Sequence, residues 1–146
     1  MVKTSRIAAL AAMVVLMALA ALASASKVAA SAWGCTFGNA FNGPPQYCVY
    51  VSGGGNWVNS VTGNFGGGTQ IRNWYITAEF FDTAWHWYQT INGPYHSGCC
   101  AGGGGDVVYV NAWKYTGYVC STLHYQSIVG GYWQNRAMSA CFRINW

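Results

Sequence analysis

Runs of glycine divide this chain into short segments, and this feature constrains its fold more than any other. Glycine fills positions 53–55, 66–68 and 102–105. Because glycine is unfavourable inside helices and favours turns, long helices cannot pass through these positions. The segments between the glycines are rich in β-branched and aromatic residues, which is the composition of β-strands. The sequence therefore predicts short strands joined by glycine-containing hairpin loops.

About seven segments have the composition of strands. They span residues 46–51, 56–62, 69–81, 84–91, 107–114, 117–125 and 136–144. In the fourth segment Trp85 and Trp87 alternate with His86 and Tyr88, the period of a half-buried antiparallel strand. We expect an all-β fold, a small antiparallel β-sandwich or barrel of about seven strands stapled by disulfides, with the strand order left open.

The first 25 residues have the pattern of a secretory signal peptide. Lys3 and Arg6 precede an apolar run over residues 7–22, which ends in small-residue cleavage sites. The run is shorter than the ~20 residues that a transmembrane helix needs. We therefore expect a secreted, extracellular protein with no stable membrane insertion after cleavage. Residues 26–34 are predicted to form a flexible N-terminal arm, and residues 35–146 a single β domain.

Six cysteines follow the predicted cleavage site. They are Cys35, Cys48, Cys99, Cys100, Cys120 and Cys141. An even number in a small exported chain indicates a disulfide framework rather than redox catalysis. There is no C-x-x-C motif, and the three histidines are not spaced with cysteines as zinc ligands would be. We expect no metal and no cofactor.

The cysteine spacing favours two disulfides and leaves the third open. A bond between Cys35 and Cys48 would close a short Gly/Pro-rich loop, and a bond between Cys120 and Cys141 would join two late strands. The two remaining cysteines are adjacent. They either bond to each other, or one of them reaches a distant strand, or one forms an intermolecular bond.

Charge is sparse and excludes several functions. Only 7% of the residues are charged, and after residue 25 five basic residues are scattered among three acidic ones. Nucleic acid binding requires a clustered basic surface, so we exclude it. Glu79 and Asp82 are the one pair of nearby carboxylates, and they read equally well as solvated hairpin residues. Ser121 and His124 would lie on opposite faces of a strand. We predict no catalytic residues and no enzymatic activity.

Aromatic residues are the positive signal for function. The chain has 8 Trp, 10 Tyr and 6 Phe, all after residue 25. With so many large rings some must be exposed, and exposed rings anchor protein interfaces or stack on sugars. For five tryptophans the sequence favours neither a core position nor a position on a binding face. They are Trp57, Trp74, Trp85, Trp87 and Trp113.

The candidate binding residues lie near turns and chain ends. They are Trp33, Tyr132, Trp133, Arg136 and Trp146. Tyr132 and Trp133 follow a Gly-Gly step, which places them at a turn, and Arg136 is close enough in sequence to add an interface charge.

Cys35 is followed in order by residues 47–49 (YCV), 80–82 (FFD), 96–99 (HSGC), 117–123 (GYVCSTL) and 139–144 (SACFRI). This order of cysteines and strand segments resembles that of small secreted actinobacterial proteins, among them the adaptor subunit of the Streptomyces umbrella toxin particles. The resemblance implies a non-enzymatic connector that joins a lectin-bearing subunit to a large toxin polypeptide, partly through an extended N-terminal segment. The adjacent cysteines 99 and 100 depart from that pattern.

Together these features predict a secreted, non-enzymatic binding module. We expect a protein–protein adaptor subunit of an extracellular antibacterial toxin complex, with other secreted protein subunits as partners. The alternatives are a lectin-like module that binds glycans and a stand-alone secreted antimicrobial protein.

Overall fold

The described part of the chain folds entirely into strands and loops. The computed structural model describes residues 31–38, 43–67 and 70–144, in which there is no helix. The nine strands are β1 (Ala32–Phe37), β2 (Gln46–Gly54), β3 (Trp57–Gly66), β4 (Ile71–Asp82), β5 (Trp87–Asn92), β6 (His96–Ala101), β7 (Gly104–Trp113), β8 (Gly117–Val129) and β9 (Tyr132–Ile144). The predicted all-β class is confirmed.

The strands form two antiparallel sheets that pack as a sandwich and do not close into a barrel. Sheet A has the order β1-β2-β3-β7. Sheet B has the order β5-β4-β8-β9, and β6 also pairs with β4. Strands β5 and β6 pair with successive parts of β4, so Gly93 to Tyr95 interrupt what would otherwise be one long strand.

Strand β1 corrects the predicted N-terminal arm. Its pairing with β2 begins at Ala32, which lies opposite Val51, so Trp33 and Gly34 belong to the sheet and not to a flexible segment. The sequence around them is short in β-branched residues, and only the tertiary pairing with β2 makes it a strand. Residues 26–30, like the predicted signal peptide, lie outside the described residues.

The region of residues 82–101 also differs from the prediction. Strand β5 begins at Trp87 rather than at residue 84, because Trp85 has a positive φ of 64° in the preceding turn. Strand β6 was not predicted, since its sequence HSGCCA has no β-branched or large aromatic residue. With β1 and β6 included, the count rises from about seven strands to nine.

The core lies between the sheets, where a buried hydrogen bond joins them. Tyr47 on β2 is 0% exposed, and its hydroxyl lies 2.6 Å from Ser121 Oγ on β8. Apolar side chains from both sheets surround this pair, among them Val49 and Val61 from sheet A and Leu123 from sheet B. Burial raises the pKa of Tyr47 to about 12, because the charged phenolate would be poorly solvated there.

The ring of Tyr47 fits only because β3 has glycine beside it. A methyl group placed on Gly63 would overlap the hydroxyl and ring carbons of Tyr47. The same group placed on Gly66, on the same strand, would meet no atom within 4 Å. Gly63 is therefore required by packing, whereas Gly66 is not.

All six cysteines are paired. Cys35 and Cys48 are directly opposite each other on β1 and β2, and Cys120 and Cys141 are directly opposite each other on β8 and β9. Both predicted pairs are confirmed. The adjacent Cys99 and Cys100 bond to each other across a cis peptide. Disulfides are consistent with an extracellular protein. In the described ranges no helix is long and apolar enough to cross a membrane.

The packing around Gly63 predicts a difference between two glycine substitutions. Gly63→Ala is expected to lower the free energy of unfolding by about 1–3 kcal/mol, because it forces Tyr47 to shift in a close-packed core. Gly66→Ala serves as the matched control and should change it by less than about 0.5 kcal/mol. Guanidinium unfolding followed by tryptophan fluorescence measures both values. Equal losses for the two variants would contradict this account of the core.

The buried Tyr47 hydroxyl predicts a loss of stability at high pH. Since its pKa is raised in the folded state, its contribution is fully present below pH 10, and it is lost as the pH rises towards 12. Wild type should therefore lose roughly 3 kcal/mol more than Tyr47→Phe over this range. Urea unfolding at pH 9 to 12 compares the two proteins. Parallel pH profiles would show that the hydroxyl does not titrate in this way.

Candidate functional site

The outer side of sheet A carries exposed aromatic rings. Successive residues of a strand point to opposite faces, and on β2 Tyr47, Val49 and Val51 enter the core. Tyr50 therefore points outward, next to Trp33, its direct partner on β1. Trp33 is 75% exposed, which is unusual for so large an apolar side chain.

Four further rings extend this surface. Phe37 lies two rows from Trp33 on β1, and Tyr109 on β7 is 73% exposed. Trp57 and Trp113 are opposite each other on β3 and β7, with ring centroids 5.6 Å apart in an edge-to-face arrangement. We call this surface the aromatic face, defined by Trp33, Phe37, Tyr50, Trp57, Tyr109 and Trp113.

Several of the side chains between these rings are polar, and none is charged. The polar ones are Gln46, Ser52, Ser60, Thr62 and Asn64. Asp106 is the one charged residue in the four strands of sheet A, and it lies opposite Gly63 in an inward-facing position. His96 Nε2 donates to its carboxylate over 2.6 Å. The outward side chains of these four described strands therefore carry no charge.

The outer side of sheet A, which carries the aromatic face, is broad. Four strands at ~4.8 Å spacing and about ten residues at ~3.3 Å rise give an area of roughly 500 Å². An uncharged surface of this size with protruding rings is suited to binding a broad partner.

The structure does not bring the predicted binding residues together. Trp33 lies on the aromatic face, whereas Tyr132 is 77% exposed at the β8–β9 hairpin of sheet B. The ring of Trp133 packs under the guanidinium of Arg72, 4.1 Å from its centroid. Arg136 is half-buried, and its Nη2 donates to Gln134 Oε1. Trp146 lies outside the described residues.

Three residues of the aromatic face were not among the sequence candidates. They are Phe37, Tyr50 and Tyr109. The alternation of residues 46–51 already separates Tyr50 from the apolar Tyr47, Val49 and Val51, so this residue could have been found from the sequence. Phe37 could not, because the strand that positions it was not recognised.

The five tryptophans that the sequence left open fall into three groups. Trp74 is buried in the core, and Trp57 and Trp113 lie on the aromatic face. Trp85 and Trp87 are exposed around the turn at the start of β5. Trp85 stacks on Tyr118 with centroids 3.8 Å apart, so this ring covers the outer side of sheet B.

The carboxylates near the β4–β5 turn are held by local hydrogen bonds. Asp82 Oδ1 accepts from the backbone N–H groups of Ala84 and His86, and Oδ2 lies 3.0 Å from His86 Nδ1. The backbone N–H of His86 is the main cause of a lowered pKa for Asp82. Glu79 accepts from Thr77 Oγ1. Asp82 therefore closes the turn that the sequence indicated.

The remaining candidate polar residues also have structural partners. Ser121 contacts Tyr47 in the core, while His124 faces the other way and stacks on Tyr75. In the part of the chain that the structure covers, no group of three His, Cys, Asp or Glu side chains is placed to hold a metal ion.

Comparison with known proteins gives no match to a protein-family model, to a curated protein or to a solved structure. The function is therefore argued from the residues of this chain.

Proposed function

We propose that this protein is an exported, non-enzymatic adaptor that binds another secreted protein through its aromatic face. The observation that carries the proposal is the set of six outward rings on sheet A with no charged side chain among them. Cores of protein interfaces are enriched in Trp, Tyr and Phe and depleted of charge, which is the composition of this face. A partner that covers its roughly 500 Å² would bury about 1,000 Å² in total, which is at the lower end for a specific protein interface.

The arrangement of the rings favours a protein over a glycan chain as the occupant of this face. The rings are spread over β1, β2, β3 and β7 and along the strands, so they cover two dimensions. A single glycan chain would use one row, whereas a protein surface would contact all of them. The partner's contact area is expected to be uncharged as well, because a charge buried against this face would have no counter-ion.

Two sequence features support the wider assignment. The signal peptide pattern and the disulfides fit export to the extracellular space. The resemblance to the umbrella toxin adaptors supports a place in an extracellular antibacterial toxin complex, with a large secreted polypeptide and a lectin-bearing subunit as partners. This placement is part of the proposal.

The proposal is tested by isolating the tagged protein from its native secretion medium without reductant and identifying its partner by mass spectrometry. The affinity of the purified partner is then measured by calorimetry for wild type and for the double variant Trp33→Ser/Tyr109→Ser. Removal of two exposed anchor rings should weaken binding by about thirtyfold or more. Tyr132→Ser, which removes an equally exposed ring from sheet B, is the matched control and should bind as wild type.

Three results would contradict the proposal. If the wild-type protein is isolated from the secretion medium as a monomer without a partner, the adaptor proposal is wrong. A double variant that keeps its full affinity would place the interface elsewhere. An equal loss in Tyr132→Ser would move the interface to the β8–β9 hairpin.

A further inference from the structure

Sheet B carries two adjoining pockets that share a pair of tyrosines. The larger, of about 360 Å³, is bordered by Asn73, Tyr75, Tyr95, His124, Gln126 and Asn135, and by Tyr125 and Arg136. The smaller, of about 240 Å³, is bordered by Tyr75, Tyr95, Asn92 and Gly93. Because both rings belong to both pockets, the two form one groove with the tyrosines in its middle. We call it the tyrosine groove.

The walls of the tyrosine groove are mainly aromatic rings and side-chain amides. The ring of Tyr75 stacks on His124 at 4.6 Å with an angle of 10°, and Tyr95 lies 6.0 Å from Tyr75 and is 60% exposed. Burial lowers the pKa of His124, so this ring is neutral at pH 7. Arg136 is the charged residue among those that border the groove, and its Nη2 donates to Gln134 Oε1. Such walls suit a neutral ligand with flat apolar surfaces.

The larger pocket has three side-chain amides, and their orientations follow from neighbouring N–H groups, which can donate a hydrogen bond but cannot accept one. Arg72 Nε donates to Gln126 Oε1, which therefore faces Arg72, and Gln126 Nε2 donates to Asn135 Oδ1. The backbone N–H of Gly98 donates to Asn73 Oδ1, and Asn73 Nδ2 donates to Gln126 Oε1. The direction of each amide is thus fixed by the network.

This network leaves the pocket richer in donors than in acceptors. Gln126 Oε1 already accepts two hydrogen bonds and has no further capacity. Asn135 Nδ2 keeps both of its hydrogens, and Asn73 Nδ2 and Gln126 Nε2 keep one each. A ligand with a strong neutral acceptor, such as an amide carbonyl, would satisfy these donors better than a ligand with hydroxyl groups alone.

We infer that the tyrosine groove binds an oligosaccharide of neutral 2-acetamido sugars. The acetamido carbonyl accepts from the N–H groups of Asn135 and its neighbouring amides, and the apolar face of the sugar ring packs on Tyr95. The two pockets on either side of the tyrosines provide room for two consecutive sugar units. The groove lies on sheet B, away from the aromatic face, so both surfaces can be occupied at once.

The inference is tested with N,N′,N″,N‴-tetraacetylchitotetraose as the probe and cellotetraose, which has the same backbone without acetamido groups, as the matched sugar. Calorimetry on the intact mature protein should show binding of the acetylated sugar at least tenfold tighter than that of cellotetraose. Tyr95→Ala removes the stacking ring, and Asn135→Asp keeps the acceptor for Gln126 but removes both donor hydrogens. Each should weaken binding about tenfold or more. Tyr132→Ala is the control and should bind as wild type.

Absence of binding at millimolar acetylated sugar would overturn the inference, as would equal affinity for the two sugars. Unchanged affinity in both Tyr95→Ala and Asn135→Asp would place the sugar elsewhere. Both substitutions are at surface side chains, and a thermal midpoint within a few degrees of wild type confirms that each variant is folded. The double variant Trp33→Ser/Tyr109→Ser should bind the sugar normally, so failure of the adaptor proposal and failure of this one are distinguishable.

Discussion

The hydrogen bond between Tyr47 and Ser121 connects the two sheets at the centre of the sandwich, and the outer surfaces depend on the register that it fixes. The Tyr47 hydroxyl crosses from sheet A to sheet B above the bare backbone of Gly63. Displacing β2 by one residue would replace Tyr47 with a neighbour that cannot reach Ser121, and it would turn the aromatic side chains inward. The alternation that places Tyr47 in the core therefore places Tyr50, and its partner Trp33 on β1, on the outer side.

The disulfide between Cys35 and Cys48 holds the edge strand of the aromatic face in place. Strand β1 is at the edge of sheet A, where it pairs with β2, and it carries two of the six rings. Cys35 and Cys48 join the two strands between the row of Trp33 and Tyr50 and the row of Phe37. A six-residue edge strand gains a covalent attachment in this way, and the rings are held in place before a partner arrives, which lowers the entropic cost of binding.

The sequence was sufficient for the fold class and two of the disulfides, and less so for the surfaces. Glycine runs and β-branched segments act locally, so they predict strands and turns correctly. Strands β1 and β6 depend on pairing with β2 and β4, and the composition of their own segments does not report this pairing. The amide directions around Gln126 depend on Arg72 and Gly98, which are far apart in sequence, and so the tyrosine groove could not be predicted.

The protein is a disulfide-linked sandwich with an uncharged aromatic face on sheet A and a donor-rich groove on sheet B. We propose that the aromatic face contacts another secreted protein. Replacing Tyr109 with a photoreactive benzoylphenylalanine, and irradiating the native secretion medium, tests that claim most directly. The account predicts a covalent product with one secreted partner from position 109 and none from the same probe at position 132. No product from position 109, or the same product from both positions, would contradict it.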